Sequence, residues 1–197
     1  MTDPIEAVES PAQDGPELIV MANAEAGELL GVEVEFLKDL RFVNEWGIGS
    51  FWDTLFLSGN VTLSDSEISI DTQSVVEQTG VSAAITNPVR RLTGHSEWVV
   101  NMQLGYDSPD GNHSASMVYN VFGDRIIIAG IDDNDDTYEK PFHSLDLVYT
   151  YFPDYNSQVK LKLQNILNQE KQMEFENILR RSSTKGVGIS LSYSREF

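Results

Sequence analysis

The chain has 197 residues, and its 31 acidic side chains outnumber its 13 basic ones, which gives a formal net charge of -18. Such an acidic surface argues against a nucleic acid as a partner. The sequence contains no cysteine, and none of its apolar runs reaches the roughly 18 residues that a membrane helix needs. If this chain meets a membrane, it therefore does so with strands.

Residues 1–16 predict an irregular lead-in. They are polar and acidic, and Pro4, Pro11 and Pro16 favour turns and loops. A secretory signal peptide would have basic residues followed by an apolar stretch at this place. We therefore expect the strands and loops of the fold to occupy residues 17–197, beginning with a short apolar run over residues 17–23.

Two stretches in the first third of the chain alternate like strands, with apolar side chains at every second position. In residues 30–38, Glu33 and Glu35 fall on the face opposite the apolar one. Two carboxylates facing a dry protein core would be costly, whereas a water-filled lumen would accept them. The alternation is strictest in residues 52–65. The apolar faces of these two stretches carry Val32, Val34, Phe36, Leu55, Leu57, Val61 and Leu63.

The middle of the chain continues the same alternation. Trp98 and Tyr106 stand at the two ends of one predicted strand, as aromatic residues do at the two interfaces of a membrane. Lys160 and Lys162 fall on the polar face of another, where we interpret them as charges of a lumen wall. The strands predicted here cover residues 98–106, 113–128, 144–152 and 158–164.

The predicted connections alternate in length. Residues 108–111 and 153–156 have the composition of tight turns. The long, polar connections cover residues 66–93, 130–140 and 165–185. Short turns on one side and long loops on the other are typical of an outer-membrane barrel, whose periplasmic turns are short and whose external loops are long.

Residues 165–181 admit two structures. A short helix would use the apolar residues Ile166, Leu167, Ile178 and Leu179 as one side. Residues 172–176, however, alternate like a strand. We predict a long hairpin that projects beyond the membrane.

The final stretch, residues 186–197, separates its side chains most clearly by face. Gly188, Ser190, Ser192 and Ser194 share one face, which is too small and polar to fill the inside of a soluble sandwich. That face suits the wall of a wide, wet barrel, and the apolar face suits lipid. The apolar face carries Val187, Ile189, Leu191, Tyr193 and the terminal Phe197.

Several of these stretches resemble the C-terminal part of TonB-dependent outer-membrane receptors. Residues 159–168, Val-Lys-Leu-Lys-Leu-Gln-Asn-Ile-Leu-Asn, are similar to the family's penultimate strand, and residues 188–197 to its terminal strand. Residues 31–35, 57–67 and 92–98 resemble strand and loop segments that are typical of the family. The likeness covers nearly all of residues 17–197 and contains no catalytic signature.

The resemblance implies an all-β fold: an antiparallel transmembrane β-barrel segment of about eight strands, part of a barrel of about 22 strands that holds an N-terminal plug. The family imports siderophores, cobalamin, sugars or similar ligands with energy passed from TonB. The resemblance also implies location in the bacterial outer membrane, contact with its lipid, and a terminal strand that the barrel assembly machinery reads. The residues of that signal would be Leu191, Tyr193 and Phe197.

We interpret the chain as a C-terminal piece of such a receptor. Its export signal, its plug and hence its contact with TonB would lie upstream, so it would not transport anything alone. The interior of an eight-stranded barrel must be filled with side chains, and the small polar faces predicted here do not fill one. Two alternatives remain: a self-contained eight-stranded barrel that anchors or adheres, and a soluble all-β binding module.

Candidate catalytic and metal sites are weak. With Asp132 as the first ligand of a helix-loop-helix calcium site, the sixth position is Thr137 instead of glycine and the twelfth is His143 instead of glutamate. We therefore interpret residues 132–136 as a solvated external loop. His95, His113 and His143 each stand near a serine, but no nucleophile, base and acid are aligned. We expect no enzyme, no cofactor and no metal.

Overall fold

The computed structural model describes residues 4–10, 18–46, 50–80 and 85–197. Within these ranges the chain is mainly antiparallel β-structure with one short α-helix, so the all-β expectation is confirmed. Two 3-10 turns, Arg41–Trp46 and Ser50–Thr54, join the third and fourth strands.

The strands are numbered in chain order. The first seven are β1 (Ile5–Ser10), β2 (Leu18–Asn23), β3 (Ala26–Asp39), β4 (Leu55–Ser69), β5 (Val89–Arg90), β6 (Trp98–Asp107) and β7 (His113–Phe122). The others are β8 (Arg125–Ile128), β9 (Thr137–Glu139), β10 (Phe142–Asp154), β11 (Ser157–Gln164), β12 (Glu170–Phe175), β13 (Ile178–Thr184) and β14 (Gly188–Arg195). The helix α1 (Thr72–Thr79) lies between β4 and β5.

The main sheet contains eight strands. Seven follow the order β14-β11-β10-β7-β6-β4-β3, and the short β5 also pairs with β4. Each long strand is antiparallel to its neighbours, so the chain crosses the sheet back and forth. Connections 40–54, 108–112 and 155–156 meet at one end, which we call the turn end. Connections 70–97, 123–141 and 165–187 meet at the other, which we call the loop end.

The loop end is not a set of plain loops. Strands β8, β9, β12 and β13 form a second, four-stranded sheet there, and β1 pairs with β2. Apolar side chains from β1, β2, α1, the end of β4 and the connecting residues next to these elements form the buried core. Its members are Val8, Ala22, Ala24, Ile68, Ile70, Val75, Ile85, Ala129 and Ile131. The core therefore caps one end of the main sheet and does not cover either face of it.

Several sequence expectations need correction at the loop end. Within the lead-in expected to be irregular, residues 5–10 form β1, which pairs with β2, and the buried carboxylate of Glu6 pairs with Arg90 at 2.9 Å. Residues 1–3 and 11–16 of that lead-in lie outside the described residues. Residues 66–93, expected to be a loop, contain the end of β4, α1 and β5. The single strand expected over residues 113–128 is two strands, β7 and β8, in different sheets. Part of the expected acidic loop is strand β9.

Helix α1 has well-formed ends although it has only eight residues. The Asp71 carboxylate accepts hydrogen bonds from the backbone N–H groups of Gln73 and Ser74, at 3.3 and 3.2 Å. At the other end, Gly80 adopts the left-handed conformation (φ 73°) that glycine allows without strain. One buried residue, Val75, anchors the helix in the core.

The expected hairpin in residues 165–181 is confirmed. Strands β12 and β13 pair antiparallel, and Glu176 and Asn177 form the turn between them with positive φ angles of 48° and 63°. Asparagine tolerates this backbone conformation better than most residues. The terminal strand expected in residues 186–197 is also confirmed, as β14.

Candidate functional site

The main sheet has two chemically different faces, and the strand register defines them. Directly paired residues of antiparallel strands lie on the same face. One row across the apolar face is Leu57, Leu104, Met117, Leu147, Leu163 and Ile189. A second is Val34, Val61, Val100 and Val121. A third is Leu55, Tyr106, Ala115, Tyr149, Leu161 and Leu191.

This apolar face is continuous and, apart from the buried Leu55 and Val121, exposed in part or in full. Val34 is 61% exposed at one edge and Leu191 is 72% exposed at the other, while Met102 near the middle is 37% exposed. Leu57, Leu104 and Leu147 share one row, and none of them is buried. A soluble sheet would bury such a face against a second layer. In the described part of the chain, the buried core lies instead at the loop end.

Aromatic side chains gather at the turn end of the apolar face. The rings of His113 and Tyr151 stack with centroids 5.0 Å apart, and His113 Nδ1 lies 2.7 Å from the hydroxyl oxygen of Tyr149. Tyr106 and Tyr193 lie on the same face near this end. Tyrosine combines an apolar ring with a polar tip, which suits the boundary between lipid and water.

The opposite face is polar and carries a chain of side-chain hydrogen bonds across four strands. Asn120 donates to Asn101 through a short contact, Asn101 Nδ2 donates to Asn60 Oδ1 at 2.6 Å, and Asn60 Nδ2 donates to Glu33 Oε1 at 2.7 Å. We call Glu33, Asn60, Asn101 and Asn120 the amide ladder. Sequence reasoning placed Glu33 on this face but did not detect the ladder, because its rungs depend on the strand register.

An open groove of about 560 Å³ lies beside the ladder. Its polar-face lining comes from two adjacent rows, one containing Glu35, Asn60 and Asn101 and the other Leu37, Ser58, Gln103 and Val118. Phe36, Gly59 and Met102 of the intervening row, which belongs to the apolar face, also line it. On the polar face the groove combines amides, a carboxylate, a hydroxyl and two aliphatic side chains.

Lys160 and Lys162 lie on the polar face, as expected from the alternation. Lys160 pairs with Thr150 and Ser192 in register, and Lys162 pairs with Ser190. Neither lysine is buried.

The three residues of the expected assembly signal lie at the edge strand β14 or just beyond it. Leu191 pairs with Leu161, and Tyr193 pairs with Val159, both on the apolar face. Phe197 follows the strand and is fully exposed, with the Arg195 guanidinium 5.8 Å from the centroid of its ring. Their role as an assembly signal stays a prediction.

His95 is brought to two serines, which sequence reasoning did not foresee. Its Nε2 lies 2.8 Å from Ser64 Oγ and its Nδ1 lies 2.7 Å from Ser66 Oγ. Ser66 Oγ also accepts a hydrogen bond from the Leu92 N–H, at 3.2 Å. Burial, followed by the charge of Arg91, holds the pKa of His95 below its ordinary value of 6.5.

This arrangement does not resemble an activated serine nucleophile. In either neutral tautomer, one ring nitrogen accepts a hydrogen bond from one serine hydroxyl and the other ring nitrogen donates to the second serine hydroxyl. Both ring nitrogens are occupied by hydroxyls, which leaves neither for an orienting carboxylate. His113 and His143 bond instead to Tyr149 and Tyr119, at 2.7 and 2.6 Å.

The acidic stretch at residues 132–136 turns one carboxylate inward. Asp136 is 1% exposed, and its Oδ1 accepts a hydrogen bond from the Gly130 N–H at 2.8 Å. The side-chain amide of Asn87 donates to its other oxygen at 3.3 Å. Across the described ranges, no group of three or more histidine, aspartate or glutamate side chains could hold a metal ion.

Comparisons with models of protein families, with curated proteins and with solved structures find no match for this chain. In the described residues, none of the helical segments is long and apolar enough to cross a membrane.

Proposed function

We propose that this chain is a C-terminal portion of the β-barrel of a TonB-dependent outer-membrane receptor, a bacterial protein for energy-coupled uptake of a ligand. In this role the apolar face of the main sheet contacts lipid, and the polar face lines a water-filled lumen. The portion is passive by itself and forms one part of the wall of the ligand path.

One observation carries the proposal: a continuous apolar face is exposed on one side of the main sheet, and a row of amides and carboxylates is exposed on the other. A lipid phase and a water phase satisfy these two faces together, because apolar groups leave water and carboxylates stay in it. The aromatic cluster of His113, Tyr149 and Tyr151 at the turn end supports a lipid boundary there.

Two further features support a portion of a larger barrel. Strands β3 and β14 stand at opposite edges of the main sheet, and in the described part of the chain no strand pairs with the outer side of either. Unpaired backbone groups are costly in lipid, so additional strands would have to join these edges in the membrane. The elaborate loop end and the shorter turn end match the asymmetry between external loops and periplasmic turns.

Single cysteines offer a direct test, because the chain has none of its own. Lys160 and Leu161 are neighbours on β11 and lie on opposite faces. We would refold Lys160→Cys and Leu161→Cys in phosphatidylcholine vesicles and label each with the same fluorophore. We expect nitroxide-bearing lipid to quench the label at Leu161 and water-soluble iodide to quench the label at Lys160.

Equal quenching of the two labels by both agents would overturn the proposal. So would a monodisperse monomer of the whole chain in buffer without detergent, since this would favour the soluble binding module. Disulfide formation between cysteines placed on β3 and β14 of the vesicle-bound chain would favour the self-contained barrel, in which these two edge strands pair with each other.

A further inference from the structure

We infer that the groove beside the amide ladder is a binding site for a neutral oligosaccharide. This inference rests on the proposed function, because a water-filled lumen leaves the polar face open to a solute. It goes further in naming the class of ligand and the residues that would bind it.

The first argument is the hydrogen-bonding capacity that the amide ladder leaves unused. A side-chain amide has two N–H donors and two acceptor lone pairs. In the ladder, Asn60 and Asn101 each donate once and accept once. Each therefore keeps one donor and one acceptor for a ligand. A sugar hydroxyl also donates and accepts, so it can satisfy both.

The second argument is polarisation along the ladder. All three amide donors point in the same direction across the strands, and the chain of hydrogen bonds ends on the Glu33 carboxylate. Hydrogen bonds aligned in series strengthen one another, and a charged acceptor strengthens the last of them. The ladder therefore fixes the orientation of the amide groups before a ligand arrives, which reduces the entropic cost of binding.

The third argument is the composition of the groove. Gln103 and Ser58 add an amide and a hydroxyl in the row next to the ladder, and Leu37 and Val118 add aliphatic surface in the same row. A pyranose ring has polar edges and C–H faces, which match amides and aliphatic side chains respectively. Neighbouring strands are about 4.8 Å apart, so the amides repeat along the row at a regular spacing that suits an extended polymer.

Charge separates this ligand class from others. Glu33 and Glu35 lie on the same face, so their carboxylates disfavour an anionic ligand. A purely apolar ligand would leave the free amide donors and acceptors without partners, which is costly. A cationic ligand is the remaining competitor, and the experiment must distinguish it.

The test measures binding to the full chain in phosphatidylcholine vesicles by saturation-transfer NMR. The neutral probes are maltohexaose, cellohexaose and dextran oligomers, and the charged probes are citrate and spermidine. We expect at least one neutral probe to bind and citrate not to bind. Binding of spermidine alone, or of no probe, would overturn the inference.

Three variants assign the binding to the groove. We expect Asn101→Leu to weaken binding about tenfold, because it removes two or more hydrogen bonds of a neutral ligand. Gln103→Ala, which leaves the ladder intact, should weaken it about threefold and covers the case in which Asn101→Leu does not fold. Gln158→Leu is the matched control, because Gln158 is an amide on the same polar face outside the groove. If all three variants bound the neutral probe as tightly as the unmodified chain does, the ladder would have a structural role only.

The labels at Lys160 and Leu161 keep the two proposals separate. Normal quenching at both positions without oligosaccharide binding would remove this inference and leave the receptor proposal intact. Failure of the quenching pattern would remove the receptor proposal itself.

Discussion

An arginine substitution on each face of strand β6 tests whether one side of the main sheet contacts lipid. Met102 lies on the apolar face and Gln103, its neighbour, on the polar face. The strand has 10 residues, Trp98–Asp107. At about 3.4 Å per residue, Met102 is about 14 Å from Trp98 and about 17 Å from Asp107 along the strand. It therefore lies near the middle of the apolar band.

The expected magnitudes differ strongly between the two variants. An arginine on the lipid face at the bilayer midplane costs about 2–4 kcal/mol, whereas an arginine on the lumen face stays in water. Because about 1.4 kcal/mol corresponds to a factor of ten, Met102→Arg should lower the ratio of folded to unfolded chain about 30- to 700-fold. Gln103→Arg should change the free energy of unfolding by less than about 1 kcal/mol, as exposed polar substitutions do.

Guanidinium titration of the vesicle-bound chain, followed by tryptophan fluorescence, measures both values. The two variants carry the same side chain one residue apart, so they share changes in net charge and strand propensity. Similar denaturation midpoints for both variants, or a larger loss of unfolding free energy for Gln103→Arg, would refute the assignment of the two faces.

Four other predictions concern single positions. Glu6→Ala should cost about 3–5 kcal/mol in the free energy of unfolding, because it leaves the buried Arg90 charge without a partner, and replacing both residues with methionine should restore much of it. Since the folded pKa of His95 lies below 6.5, the unfolded chain binds the proton first on acidification, so stability should fall as the pH drops from 6.5 towards the folded pKa. His95→Gln should flatten that dependence in equilibrium unfolding at stepped pH. Gly105→Ala should cost about 1–3 kcal/mol, because its Cβ would overlap the ring of Phe56 on β4 and that ring would have to move. Phe197→Ala in the full-length parent should lower the amount of protein in the outer membrane, and unchanged amounts in fractionated membranes would show that the terminal aromatic is not recognised.

The long strands could be predicted from the sequence because alternation is a local signal. Residues 30–38 and 52–65 needed no distant partner to identify their two faces. The structure places residues 30–38 in β3 and residues 55–65 in β4, whereas residues 52–54 belong to the 3-10 turn Ser50–Thr54. Tight turns and the hairpin of β12 and β13 could also be predicted from the sequence, since turn composition and alternation are both encoded within a few residues.

The buried core that caps the loop end of the main sheet, which we call the cap, could not be predicted in the same way. Glu6 looked like one acidic residue of a polar lead-in, and its partner Arg90 is 84 positions away. Helix α1 has only eight residues and one buried side chain, so its periodic signal is weak. The residues of the amide ladder could be assigned to a face, but their hydrogen bonds depend on a register that spans four strands.

The separation of core and sheet has a consequence for how the chain is stabilised. The cap buries its own apolar side chains, so water is sufficient to drive its formation. The main sheet has no apolar layer on either face in the described residues, and its apolar rows run across seven strands. Cross-strand pairs alone contribute well under the cost of ordering so many residues. The receptor proposal accounts for this by covering the apolar face with a second phase on that side only, while the acidic and amide groups opposite stay in water. In that proposal the second phase is a lipid bilayer, and the comparison of Met102→Arg with Gln103→Arg measures how differently the two faces of the sheet accept a charge.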